Sequence, residues 1–340
     1  MEALGDLPIF EQTVRWEEAQ AALEEQELGD GLPLVPPTKQ RLIAMLAGVA
    51  APDKSYGQML PLFGDLTPAA VAYNCVLAGC QPGALPIVLT AAEACLEPSF
   101  NLLGILTTTG TPAVVTIVHG PIARSLGMNA GTNCLGPGNP ANATLGRAVS
   151  LVMRNIGGAR AGVGDMATMG QPGKYSFCFP EGEDDLVPPF AQRRGLDGVA
   201  NAVTVLGVSG TVEILPLEGG ATPEEILDPV AAAMIAGGAV ASAGRMRDFN
   251  EQFFLLPQEL TQKIAKHGWD LARVQDYLFQ ARAIELPETA TISTPRAIAR
   301  GAGDIHPIVT GGAGVKMTYL PLWAGGSLSA TRPLHDFGSS

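Results

Sequence analysis

Four side chains have the type and setting to carry out a reaction: Cys80, His119, Asp165 and Lys174. Cys80 stands in Gly79-Cys80-Gln81-Pro82, just before a helix start, where the helix dipole lowers a thiol pKa and leaves the sulfur partly exposed. It would serve as a nucleophile or a redox thiol; a small residue at a tight turn is the alternative. His119 follows the strand-like run 114–118 and precedes Gly120-Pro121, a strand end of the kind where active-site groups of α/β sheets gather, and it would act as a general base. Asp165 and Lys174 bracket a loop, 166–173, with too few apolar side chains to pack as an element. Together they would supply an acid–base carboxylate and an ammonium that holds a substrate carboxylate or oxyanion. Neutralisation of an arginine is the alternative for Asp165.

A second constellation would hold an anion. Leu135-Gly136-Pro137-Gly138-Asn139-Pro140 runs directly into a helix, so Gly136 and Gly138 let backbone N–H groups turn toward a ligand at a helix N-terminus, with Asn139, Asn142 and Arg147 beside them. The loop matches neither the Walker nor the dinucleotide pattern, and a capped strand-to-helix turn is the alternative. Residues 101–174 contain no aromatic side chain and one acid, Asp165, against Arg124, Arg147, Arg154, Arg160 and Lys174. That is +4 in a chain of net charge -12, leaving -16 for the rest. Arg147 and Arg154, seven apart, lie opposite the apolar face formed by Leu145, Ala148, Val149, Val152 and Ile156, and need a second surface to matter.

The remaining reactive residue types read as structural. Cys75 and Cys95 fall in apolar helical patterns and Cys178 in a Phe-flanked strand-like run, while Cys134 adjoins the glycine loop as a second thiol candidate. His267 closes a helix, His306 lies on an expected strand and His335 is near the terminus. Glu181, Glu183, Asp184 and Asp185 form an acidic cluster of the surface kind, with binding of a divalent cation as the alternative. With no HExxH, no clustered Cys/His spacing and no Gly-x-Ser-x-Gly elbow, no metal and no cofactor is expected.

The elements that would position these groups alternate between helix and strand, which favours an α/β fold with mixed or parallel sheet layers flanked by helices. Helices are expected over 10–28, 39–47, from Thr67-Pro68 to Gly79, over 82–95, from Asn139-Pro140 to 156, from Thr222-Pro223 to 241 and over 258–267, with another capped by Asp270. Buried strands are expected at 101–107, 112–118, 201–208, 210–215 and 305–310. The organisation reads as an N-terminal helical arm, 1–28, a first α/β half, 29–216, carrying the cationic block, and a second α/β half, 217–340.

Composition narrows the partners. At 340 residues and 46% hydrophobic, the chain supports a sizeable core. Its acidity and the lack of any basic run longer than Arg193-Arg194 exclude a nucleic-acid role. The acidic start lacks a signal-peptide pattern, and no apolar run approaches the roughly 20 residues of a membrane span. Five cysteines without a CxxC pair imply free thiols and a cytoplasmic setting. A homo-oligomer is expected.

Gly79-Cys80-Gln81-Pro82, Asn139-Pro140-Ala141-Asn142-Ala143-Thr144-Leu145-Gly146-Arg147-Ala148, Asn155-Ile156-Gly157-Gly158-Ala159, Gln171-Pro172-Gly173-Lys174 and His267-Gly268-Trp269 carry a likeness. Over most of residues 30–330 the chain resembles a bacterial, largely uncharacterised family whose members accompany small (seleno)proteins with a UGSC motif. That pattern has Arg where this chain has Gln81, and a small non-thiol residue where it has Cys134. The companions resemble subunits of selenocysteine-dependent amino-acid reductases, so the resemblance implies thiol-linked chemistry on a small molecule. Three readings follow: a cysteine-dependent enzyme acting on a small carboxylate-bearing metabolite, a non-catalytic subunit docking a UGSC-type thiol or selenol partner, and an acid–base lyase or hydratase using Asp165 and Lys174.

Overall fold

The computed structural model describes residues 4–242, 251–281 and 298–337, with the side chains of 238–242 excepted. Helices α1 (Trp16–Glu25) and α2 (Lys39–Met45) flank the proline- and glycine-rich segment, and α2 starts where Thr38 Oγ1 accepts from Arg41 N at 3.3 Å. A short antiparallel ribbon, β1 (Gln58–Met59) and β2 (Gly64–Asp65), precedes α3 (Pro68–Ala78). Thr67 caps α3, and Gly79 ends it in the left-handed region at φ 86, where a Cβ would be strained. Next come α4 (Leu85–Ala94) and α5 (Leu102–Thr107).

Helix α5 corrects the strand expected at 101–107. Its apolar run does not alternate; Leu102 and Ile105 are buried three apart, and Asn101 caps the turn by accepting from Gly104 N at 3.2 Å. The chain continues through β3 (Ala113–His119), α6 (Ile122–Ser125), α7 (Pro140–Asn155), β4 (Cys178–Pro180), α8 (Phe190–Arg193), β5 (Ala202–Val208) and β6 (Val212–Ile214). After α9 (Pro223–Ser242), whose start is a capping box between Thr222 and Glu225, come β7 (Gln252–Leu256), α10 (Gln258–Lys266), α11 (Leu271–Gln280), β8 (Ile305–Val309), β9 (Met317–Leu320) and β10 (Ala330–Pro333).

Two mixed four-stranded sheets result. The first has the order β10-β5-β3-β4 with β3 and β4 parallel; the second has β6-β9-β7-β8 with β7 and β8 parallel. The expected halves exchange a strand each, since β6 joins the second sheet and β10 the first. The α/β class with mixed sheets flanked by helices is therefore the architecture of the chain.

Strand alternation sorts the side chains into layers. One face of the first sheet (Val114, Val118, Cys178, Val203, Val205) packs on α4 and α7, with α3 against those helices in the same core. The outer face of the second (Phe254, Leu256, Ile305, Tyr319) packs with residues of α9, α10 and α11. The inner faces meet in a third core of Val115, Ile117, Phe179, Leu206, Phe253, Leu255, Ile308 and Leu320. The order is helices, sheet, sheet, helices. Backbone contacts join the sheets along both margins: Gly182 N donates to Val309 O at 2.7 Å on one side, and Ser209 N to Pro321 O at 2.8 Å on the other. Among the described residues no helix is long and apolar enough to cross a membrane.

Candidate functional site

The inward-facing positions of the inter-sheet core change from apolar to polar at one end. Along β3 the inward series is Val115, Ile117, His119; along β5, read backwards, Val208, Leu206, Thr204. In β4 Phe179 is followed two residues later by Glu181, while β7 and β8 begin with Glu251 before Phe253 and with Asp304 and His306 before Ile308. Thr331 of β10 lies opposite Thr204. Both parallel pairs and their neighbours thus deliver polar side chains to one edge of the layer.

Two histidine–carboxylate pairs dominate that edge. Glu181 Oε2 lies 2.6 Å from His119 Nδ1, and His119 Nε2 lies 2.7 Å from Thr204 Oγ1, itself 2.9 Å from Thr331 Oγ1. This is a continuous chain from a carboxylate through an imidazole to two hydroxyls. Glu181 also accepts from Phe190 N, at 2.9 Å to Oε2, so α8 is anchored to the pair at its first residue. In the second pair Glu251 Oε1 lies 3.8 Å from His306 Nε2. Ser329 N donates to Glu251 Oε2 at 2.6 Å, and Ser329 Oγ and Arg194 Nη1 reach Oε1 at 3.0 and 3.2 Å.

Helix α8 bridges the pairs. The Phe190 ring centre is 6.3 Å from that of His119 and 4.9 Å from that of His306, and the Arg193 guanidinium lies 5.0 Å from it. Arg193 Nε and Nη2 donate to Pro188 O and Pro307 O at 2.9 and 2.6 Å. Burial pulls Arg193 down to about 10, against the opposing pull of Glu181. Burial and the two arginines hold His306 below the usual imidazole value despite Glu251, so it is neutral at pH 7. Burial would raise the Glu251 carboxyl, but His306, the Ser329 amide and Arg194 together carry it below the usual range. Among the described residues, Arg193 Nη1 and His306 Nε2 are two of the few buried side-chain nitrogens with no hydrogen-bond partner. Both face the same polar end, and an unpaired buried polar group costs about 1–3 kcal/mol, so each calls for a ligand atom or water.

Of the residues expected to do chemistry, His119 alone lies in this cluster; Glu181, expected at the surface with its acidic neighbours, is 4% exposed there instead, and His306 joins it from its strand. Cys80 is half-buried after the α3 cap, its Sγ donating to Thr144 O at 3.2 Å, with Cys75 beside it; burial and the Cys80 thiol raise Cys75 well above the ordinary thiol value. Pro82 and Gly83, but not Cys80, help line an open cleft of about 540 Å³ with Asn201 and His335. Asp165 and Lys174 pair with each other at 2.6 Å. Asn139 Oδ1 accepts from Asn142 N at 2.9 Å and caps α7. Asn142 is buried, accepting from Asn129 N and donating to Asn129 O and Cys134 O, so its amide is spent on holding the loop. Gly136 packs against the Asn133 side chain, and Gly138 sits at φ 123.

Arg147 finds its second surface within the chain. It grips Asp30 with Nε and Nη2, both at 2.8 Å, and also donates to Pro33 O and Leu32 O. Arg160 pairs with the Glu27 carboxylate, whereas Arg154 Nη2 donates only to the Glu27 backbone carbonyl at 3.4 Å, so acids of the N-terminal segment neutralise Arg147 and Arg160. Burial would raise the Asp30 carboxyl, but Arg147 and the Leu32 amide hold it below 3.8. Its stabilisation is therefore present above that value and lost as pH falls through the lower folded one. Arg147→Met should cost about 2 kcal/mol at neutral pH, a reduced figure because both partners are 13% exposed, and should flatten the stability profile below about pH 4. Urea unfolding across pH reads both effects.

Comparison with protein-family models, with curated proteins and with solved structures finds no match for this chain.

Proposed function

We propose that the protein is an enzyme acting on a small carboxylate-bearing metabolite by acid–base chemistry at the polar end of the inter-sheet layer. The observation that carries this reading is Arg193 Nη1, a buried guanidinium donor without a partner, between two histidine–carboxylate pairs. A substrate carboxylate would satisfy it and replace the water that burial has removed. His119, oriented through Nδ1 by Glu181, would accept a proton at Nε2 relayed through Thr204 and Thr331, and the Glu181 charge would stabilise the imidazolium so formed.

A thiol-dependent reading has its own support, because Cys80 is half-buried with Cys75 at hand, whereas the other four thiols are buried. Calorimetry with a panel of small mono- and dicarboxylates separates the two. Binding should weaken about 10- to 100-fold in Arg193→Met, corresponding to roughly 1.5–3 kcal/mol for a charged hydrogen bond, and recover in part in Arg193→Lys. It should be unchanged in Cys80→Ala. Binding that survives Arg193→Met but is lost with Cys80 would transfer the site to the thiols.

A further inference from the structure

We infer that Glu251, Asp304 and His306 form a binding site for one divalent transition-metal cation. The site deepens the acid–base reading above and rests on it only for its catalytic use. In the register of the parallel pair β7/β8, Gln252 lies opposite Ile305, so Glu251 and Asp304 are neighbours at the strand starts. His306 follows two residues on, on the same face. One donor atom from each residue falls within 4.8 Å of the others, and Glu251 Oε1 is 3.8 Å from His306 Nε2.

Ligands about 2.1 Å from a common ion stand roughly 3 to 4.2 Å apart, from cis to trans. The glutamate–histidine distance falls inside that range. Asp304, the partly exposed member, pairs at 3.8 Å with the exposed Arg300 side chain, and turning away from it would close the widest separation.

The second observation is independent of the acids. His306 is 4% exposed, and its Nε2, the atom aimed at Glu251, has no hydrogen-bond partner among the described residues. A structural imidazole at that depth would have both nitrogens satisfied, as His119 does. Glu251 is already oriented as metal-bound carboxylates are, with Ser329 N fixing Oε2 and Ser329 Oγ on Oε1. Arg194 shares Oε1 from a side chain one-third exposed, which can swing toward solvent.

Two carboxylates and one imidazole suit Mn²⁺, Fe²⁺, Co²⁺ or Zn²⁺ better than Ca²⁺ or Mg²⁺, which favour all-oxygen shells. The two carboxylates would offset the charge of the ion once Arg194 and Arg300, both partly exposed, turn toward solvent.

The test is titration of the full chain with Co²⁺, followed by its visible ligand-field bands and by elemental analysis after gel filtration. One equivalent should bind. Asp304→Asn and His306→Gln should each weaken binding by about 100-fold or more, since losing even an outer-shell partner costs about 10- to 100-fold. The exposed control His267→Gln should bind as the parent does. Less than stoichiometric uptake, or equal affinity in both ligand variants, overturns the site. If His306→Gln fails to fold, Zn²⁺ added to ¹⁵N-histidine-labelled parent protein decides: the buried His306 resonances should shift, and shifts confined to His267 or His335 refute the assignment. A chain that binds Co²⁺ but no carboxylate keeps the metal site and loses the proposed function; carboxylate binding without metal does the reverse.

Discussion

Phe190→Ala should lower stability by about 3–5 kcal/mol and disorganise the polar end of the inter-sheet layer in the same step. Phe190 is fully buried, with its ring edge-on to Phe253 at 5.3 Å and to His306 at 4.9 Å, and it supports the guanidinium groups of Arg193 and Arg194 at 5.0 and 5.8 Å. Truncation leaves a cavity between the sheets and removes the surface on which both arginines rest. Phe190→Leu fills most of that volume and should cost less than about 1.5 kcal/mol, while still weakening carboxylate binding because the flat cation-facing ring is gone. Urea unfolding gives the stabilities and calorimetry the binding. A loss below about 1 kcal/mol in Phe190→Ala would mean that α8 is not wedged between the sheets as described.

The difference between what could be read in the chain and what could not follows from how far each signal reaches. Thr67-Pro68, Asn139-Pro140, Thr222-Pro223 and Asp270 announce helix starts within four residues, and each caps or opens a helix. Strands β3, β5 and β8 stand out by β-branched runs. The site is a different matter, because its members come from strands up to 212 positions apart, as Thr331 and His119 are. The signal that could have found them is parity. Val115-x-Ile117-x-His119, Phe177-x-Phe179-x-Glu181, Glu251-x-Phe253-x-Leu255 and Asp304-x-His306-x-Ile308 each carry one or two titratable groups in register with buried apolar residues. A titratable side chain in such a series is directed at the core and requires a partner there.

The cationic block shows the same limit of reach. Charge counted along 101–174 ignores Glu27 and Asp30, which lie more than 70 residues before its first residue and neutralise Arg160 and Arg147 across the fold. Local composition gave the excess of cations correctly and could not give their partners. The strand expected at 101–107 shows the same limit on a smaller scale, since nothing in the apolar content alone separates a short buried strand from a buried helical turn.

Glu181→Ala should cost about 3–5 kcal/mol, more than an ordinary polar truncation, because two hydrogen-bond donors and a buried guanidinium lose one carboxylate at once. His119 Nδ1, Phe190 N and the Arg193 guanidinium, at 2.6, 2.9 and 3.9 Å, all converge on this carboxylate, which is 4% exposed. Glu181→Gln keeps an acceptor for two of them in the same shape and should cost only about 1–2 kcal/mol. The gap between the two variants isolates the buried donors from the charge. Turnover should respond differently: loss of the negative charge removes what stabilises a protonated His119, so both variants should fall by about 10²- to 10⁴-fold. A proton held between Nδ1 and a carboxylate oxygen at 2.6 Å resonates far downfield, and that signal should be present in the parent protein and absent from Glu181→Ala. If Glu181→Gln retained full turnover while Glu181→Ala merely unfolded, the pair would be a structural clamp, and the proton path from Thr331 to His119 would have no chemical role.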